Sequence, residues 1–301
     1  MAMTEPARRQ RRLIITADDF GLSPAINEAV EAAHREGILS AASLMVGAPA
    51  AADAVARARR LPRLRVGLHL VLVDGWPSLP PEQVAGLADG SGRFPSAMLL
   101  PSVRLFLRPA LRRQARAEIR AQFEAFRATG LPLDHVNTHK HLHLHPTVLG
   151  LILEIGREYG LHAVRVPREP LPRRDGLVSW VQRASWRTFL CPWMLLLRGR
   201  LRDAGIRHND HIFGVSQSGH MDETALLAAI DVMPPGTTEI YLHPSVGGAS
   251  SPGSADELRA LTGAAARRAL SECNLVPIGF RDLIEDSSDS PTPAKEHAHV
   301  T

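Results

Sequence analysis

Lysine is almost missing from this 301-residue sequence, occurring only at Lys140 and Lys295, so nearly all of its 35 basic residues are arginine. Cysteine is as scarce. Cys191 and Cys273 cannot build a disulfide framework and show no metal-ligand spacing, which fits a reducing, cytoplasmic setting. No apolar run reaches the roughly 18 residues that a membrane-crossing helix needs. The opening MAMTEPARRQRR carries the charge of a signal peptide without its apolar segment, so no secretory leader is expected. Net charge is only +4, and the arginines cluster at 8–12, 57–65, 104–120 and 198–207 rather than along one stripe. That pattern suits solvated helix faces, and no nucleic-acid partner is expected. A hydrophobic fraction of 45% excludes a chain disordered throughout.

Fourteen histidines are present instead, five of them between 135 and 145. Their setting comes from the local pattern. After a basic start (1–12) expected to be disordered, LIITA at 13–17 reads as a short buried strand. Ser23-Pro24 reads as an N-cap with proline at the first helical position, opening a helix that stops at Gly37. Strands are then predicted at 41–46, 64–71, 135–138, 163–166, 210–215, 239–243 and 275–279. Helices are predicted at 50–60, 109–128, 146–159 and 222–231, and a capping box at Ser254–Glu257 opens another running to about Ser271. Such alternation predicts an α/β fold, a distorted, TIM-like (β/α) barrel of seven or eight mainly parallel strands. One domain is expected over 13–284, with insertions near 74–108 and 168–208 and a disordered tail at 285–301.

The polar residues fall at the ends of these strands. Asp18 and Asp19 follow the first and His69 closes the third. Asn137-Thr138-His139-Lys140-His141-Leu142-His143 leaves the fourth, Arg165 ends the fifth, and His243 ends Glu239-Ile-Tyr-Leu-His. In a β/α barrel these ends share the face where active sites are built. A carboxylate with two imidazoles can hold a divalent metal and leave positions open. Adjacent carboxylates on a strand point to opposite sides, so one can bind metal while its neighbour takes a proton. Each piece alone has a plainer reading: a turn with a helix cap for Asp18-Asp19, a satisfied core residue for His69, a surface ion pair for Arg165. The cluster at 135–145 resists one, because burying imidazoles without partners is costly.

Ala-Asp-Asp-Phe-Gly-Leu (17–22), Gly-Leu-His-Leu (67–70), Asn-Thr-His-Lys-His-Leu-His (137–143) and Tyr-Leu-His-Pro (241–244) resemble the motifs of the YdjC-like carbohydrate deacetylases, in that family's order. The resemblance implies metal-dependent removal of acetyl groups from N-acetylated amino sugars. It implies Asp19, His69 and His139 as ligands of one divalent ion, zinc or magnesium, with Asp18 as base and His243 as acid. Arg165-Val-Pro167 resembles the element that orients the base in related polysaccharide deacetylases. One departure stands out: the common family form of the third motif begins Asp-Ser-His, and here it begins Asn137-Thr138. The run Val136–Pro146 is most similar to the branch associated with hopanoid biosynthesis, which implies an N-acetylglucosaminyl lipid as substrate.

The second insertion bears on that substrate. Trp180, Trp186, Phe189, Trp193 and Leu195–Leu197 lie among Arg183, Arg187, Arg198, Arg200 and Arg202. An apolar body with cationic edges suits peripheral contact with a membrane, and a lid or a contact between copies in a homo-oligomer suits it equally. Substrate contacts are expected from Lys140, His141, His143, Trp186 and Phe189. Two alternatives stay open: a deacetylase of soluble chitooligosaccharides, and a non-catalytic basic protein binding nucleic acid or anionic membrane.

Overall fold

The computed structural model describes residues 10–97, 105–170, 191–248 and 252–284. Strand β1 (Arg11–Phe20) is the centre of the sheet. Leu13, Ile14 and Ile15 are buried on both of its faces, as expected where helices cover a parallel sheet from outside. Helix α1 (Pro24–Glu36) follows, and the Ser23 hydroxyl accepts from the Ile26 amide as predicted. The chain continues through β2 (Ala41–Leu44), α2 (Ala51–Arg59) and β3 (Arg65–Leu70). Next come α3 (Pro109–Ala128), β4 (Val136–Thr138) and α4 (Pro146–Gly156). Beyond them lie α5 (Cys191–Asp203), β5 (His211–Phe213), α6 (Glu223–Asp231) and β6 (Gly236–Leu242). Helices α7 (Ser254–Thr262) and α8 (Ala264–Glu272) and strand β7 (Pro277–Ile278) close the described chain.

All named strand pairs are parallel, in the order β4-β3-β2-β1-β6-β5, with β7 also on β1. The sheet curls, and isolated parallel bridges Val136–Val164 and Ala163–Arg207 carry it from β4 toward the chain leading into β5. This is the distorted α/β barrel that the sequence predicts. Its strand ends face one way, as the site requires.

Four details differ from expectation. Arg11 and Arg12, placed in the disordered start, pair with Gly236 and Thr237, so β1 begins two residues early. The strand expected at 163–166 is reduced to the two bridges, one from Ala163 and one from Val164. The helix expected through Ser271 breaks at Gly263, whose backbone is extended (ψ 146°). A Cβ there would come 2.8 Å from Glu223 Oε2, a close approach to α6. Finally, Ser254–Glu257 is no capping box. Gly253 is the N-cap, and the Glu257 side chain turns away from its own helix, as described below. Trp186, Phe189 and the remainder of 171–190 lie outside the described residues, as do the far tail and 98–104.

The segment after β3 is fastened by polar groups on the buried face of α3. Glu118, fully buried, accepts from the Ser78 and Leu79 amides at 2.7 and 3.0 Å and from Gln122 Nε2 at 2.8 Å. Gln122 in turn brackets Val71, accepting from its amide and donating to its carbonyl. Removing the carboxylate strands buried donors, each costing about 1–3 kcal/mol. Glu118→Ala is therefore expected to lose about 3 kcal/mol in urea unfolding, with Glu118→Gln losing less. Equal stability of Glu118→Ala and wild type would show that the segment is held elsewhere.

Candidate active site

Two neighbouring carboxylates reach one site because β1 is not regular at its end. The β1–β2 register shifts between Ala17 and Phe20, and Asp19 has φ 61°. A bulge with one left-handed residue re-aims the side chain that simple alternation would turn away. Asp18 thus faces Arg165, and Asp19 faces β3 and β4.

Asp19 Oδ1 lies 3.3 Å from His69 Nε2 and 3.2 Å from His139 Nδ1, and the two nitrogens are 3.3 Å apart. Asp19 Oδ1 is buried without a hydrogen-bond partner. Three donor atoms this close, one of them an orphaned oxygen, match one face of a metal's coordination shell. Bonds of 2.0–2.1 Å would put donors about 3.0 Å apart in octahedral geometry and about 3.4 Å in tetrahedral. Charge agrees. Asp18, Asp19 and Glu239 are all buried, and Arg165 is the cation bonded to Asp18 and Glu239. With neutral imidazoles the cluster carries two negative charges in excess, which a divalent cation balances. These residues fit the ion that the sequence implies; zinc and magnesium both remain open.

Beside this triad, Arg165 is fully buried and doubly committed. Nη1 and Nη2 donate to Asp18 at 2.5 and 2.9 Å, while Nε and Nη2 donate to Glu239. Burial alone would raise the Asp18 pKa, but the Arg165 charge holds it well below the usual carboxylate range. Burial likewise acts against charge on Asp19, and the imidazoles of His139 and His69 beside it outweigh that, holding its carboxyl well below the usual range. The Arg165 guanidinium also stacks 4.7 Å from the Tyr241 ring centroid. Tyr241 packs against His141 and His243, with ring centroids 5.5 Å away in each case.

His243 follows β6, and its backbone amide donates to the buried carboxylate of Glu257, which also accepts from the Met221 amide at 3.0 Å. Lys140 pairs with Asp74 at 2.5 Å on the rim. Lys140 and His141 both take left-handed backbone angles, φ 53° and 54°, which fold the histidine run into a tight turn instead of an extended strand. His141 Nε2 shares a 3.2 Å hydrogen bond with the Tyr241 hydroxyl. His143 is wholly buried, with Nδ1 2.8 Å from Thr138 Oγ1. Trp193 of α5 donates to the Leu144 carbonyl at 3.0 Å, tying that helix to the same turn.

Sequence reading missed Glu239, Ser43, His135 and Glu257. Glu239 had a visible signal, since a glutamate carried into a buried strand needs a partner, and the apolar run Ile240–Leu242 follows it. The others show only through tertiary contact.

The sequence profile of the family described as YdjC-like protein matches residues 12–272. The chain belongs to that family. Among the curated relatives of this YdjC-like chain is a carbohydrate deacetylase of Brevibacillus brevis, 40% identical over 52% of this chain and 59% of the relative. A carbohydrate deacetylase of Vibrio cholerae is 36% identical over 49% of this chain and 56% of its own. The YdjC-like chain therefore matches somewhat over half the length of these relatives. Among solved structures, one from Enterococcus faecalis V583, named for cellobiose-phosphate cleavage, superimposes with a TM-score of 0.71 at 22% identity. It covers 91% of this chain and 99% of the other, and it supports the fold alone.

Two measurements test the site. Equilibrium dialysis of His139→Ala is expected to show no stoichiometric divalent metal, and retained metal would remove His139 from the ligand set. Burial first, and then the Arg165 charge, push the His141 imidazole down to about 3; burial and the neighbouring His141 push His143 down as well. Both imidazoles are neutral in the folded chain and take protons near pH 6.5 when unfolded. The unfolded state then binds more protons below that pH, so stability of the metal-free chain falls as pH drops from about 6.5 toward 4. Urea midpoints that rise on acidification would contradict neutral imidazoles.

Proposed function

We propose that this chain is a metal-dependent N-deacetylase of N-acetylated amino sugars. The observation that carries this reading is the pairing of a three-donor cluster with a separate, ionised Asp18, both at the ends of parallel strands. Such a site separates holding a cation from moving a proton. The carbohydrate deacetylases among its relatives point to the same substrate class.

Asp19, His69 and His139 would hold the divalent ion, which when bound would polarise the acetamide carbonyl and acidify a water. Asp18 takes the proton from the attacking water, its carboxylate kept charged and aimed by Arg165 and by Asn137 Nδ2. His243 arrives from β6 beside the Tyr241 ring and protonates the departing amine. The Glu257 carboxylate fixes the backbone from which His243 projects. Acetate and a free amino sugar leave.

The finer reading is an N-acetylglucosaminyl group on a hopanoid lipid. Its support is the motif run at 136–146 and the composition of the second insertion. In α5, Leu197 and Leu201 pack inward while Leu195 and Leu196 are each 62% exposed beside Arg198, Arg200 and Arg202. No helix among the described residues is long and apolar enough to cross a membrane. Peripheral contact through this face is the corresponding proposal.

Acetate release from an N-acetylglucosaminyl lipid and from chitobiose, with metal-free and metal-restored protein, tests both readings. Turnover is expected only with metal and chiefly on the lipid. Equal turnover on chitobiose would favour the soluble substrate, and no acetate from either would sink the deacetylase reading. Asp18→Asn is expected to keep its metal and to lose at least about 100-fold in kcat, the usual scale for a general base. Full activity in that variant would remove Asp18 from the role.

A further inference from the structure

Behind the metal-ligand cluster runs a line of polar side chains of which only Asn137, at its near end, enters the steps above. Asp134 is buried, and its carboxylate accepts from the Phe280 and Arg281 amides at 3.2 and 2.9 Å. Its Oδ2 lies 2.8 Å from His135 Nδ1. His135 Nε2 lies 3.0 Å from Ser43 Oγ, which lies 3.0 Å from Asn137 Nδ2. Asn137 reaches Asp18 through Nδ2 at 3.1 Å and His69 Nδ1 through Oδ1 at 2.7 Å. The residue types Ser, His and Asp in this order suggest a nucleophile triad. Ser43 and His135 are fully buried and Asp134 is 2% exposed, so no substrate reaches the hydroxyl.

What the line does is fix direction. Burial would raise the Asp134 pKa, but its bond with His135 and the two backbone amides keep it ionised and acceptor-only. His135 therefore carries its proton on Nδ1, and its Nε2 accepts from the Ser43 hydroxyl. With its own proton so committed, Ser43 Oγ accepts from Asn137. At the other end the Asp18 carboxylate also accepts only. Both neighbours thus demand the amide nitrogen of Asn137 on the same side, which turns Oδ1 toward His69. His69 must then donate from Nδ1, leaving the Nε2 lone pair for the cluster with Asp19 and His139.

We propose that Asp134, His135, Ser43 and Asn137 are positioning residues that together set the tautomer of His69 and seat the Asp18 carboxylate. A Cβ on Gly67 would come 2.5 Å from the His135 ring, so that glycine, two residues before His69, is what admits the ring. Phe280 covers its face at a centroid distance of 4.7 Å. The relay thereby couples the segment Gly279–Arg281, which follows β7, to both halves of the site.

The tautomer can be read without metal or substrate, from 15N ring spectra of the metal-free protein. His69 is expected to be protonated at Nδ1 in wild type and to show both tautomers in Asn137→Ala. An Nε2-protonated His69 in wild type would overturn the proposal. The links behind Asn137 are tested by zinc and magnesium affinities measured against a competing chelator, a readout that rests on the metal-dependent reading above. Asp134→Asn and Ser43→Ala are each expected to weaken binding about tenfold, and the double variant no further than either. Unchanged affinity in both single variants, or losses that multiply in the double, would overturn the relay. Melting curves accompany each variant. If Asp134→Asn does not fold, Ser43→Ala, which deletes one hydroxyl, decides alone. Should wild type bind neither metal, the deacetylase reading falls, while the ring spectra still judge the relay.

Discussion

A single guanidinium with no access to solvent organises this site. Arg165 sits on the irregular segment that joins β4 to the chain before β5, and it reaches Asp18 on β1 and Glu239 on β6. Burying that cation without partners would cost several kcal/mol. The fold is therefore bound to bring both carboxylates to it. Thr16 adds a hydroxyl donated to Glu239 at 2.7 Å, and Tyr241 adds its ring face. Where backbone bridging is weakest, between β4 and β5, side-chain charge pairing joins the parts. The geometry of the proposed base follows from this join and not from the turn in which Asp18 lies.

How much of this was legible in the sequence depended on whether the signal was local. The alternation of strands and helices and the Ser23 cap were readable, because periodicity and capping act within a few residues. The grouping of Asp19, His69 and His139 was readable once strand ends were assigned to one face of a barrel. The rigidity of the cluster was not. The left-handed turn at Lys140 and His141 replaces an extended run, and nothing in HKH announces it. Glu257 looked like half of a capping box because a glutamate three residues after a serine has the same spacing whichever way its side chain turns. It turns toward His243 because Met221 and His243 present two buried amides there, a fact of tertiary packing.

The two insertions divide along the same line. The first is held by Glu118 and Gln122, polar residues on the buried face of an otherwise amphipathic helix. A helical pattern shows such residues as flaws in the apolar stripe, and here they give the loop backbone partners beyond its own Gly75–Phe94 bridge. The second contributes α5, which is tied by Trp193 to the turn carrying the histidines. A segment read from composition as a lid, an anchor or a contact between copies is thus connected to the site on its inner side, while its outer side remains apolar and cationic.

Asn137 stands where the common family motif has an acid, and the charge of the site explains why an amide works. Asp18, Asp19 and Glu239 already exceed Arg165 by two negative charges. An ionised carboxylate at 137 would make the excess three and would face Asp18 Oδ1 across the 3.1 Å that Asn137 Nδ2 now spans as a donor. It would keep the bond from His69 and lose the bonds to Asp18 and Ser43 unless it held a proton. The amide supplies one acceptor and two donors, which is what its three neighbours need. Loss of a carboxylate behind His69 is therefore not loss of its orientation. Of the three donors proposed for the cation, Asp19 is the one that brings a charge, on a buried oxygen with no hydrogen-bond partner among the described residues.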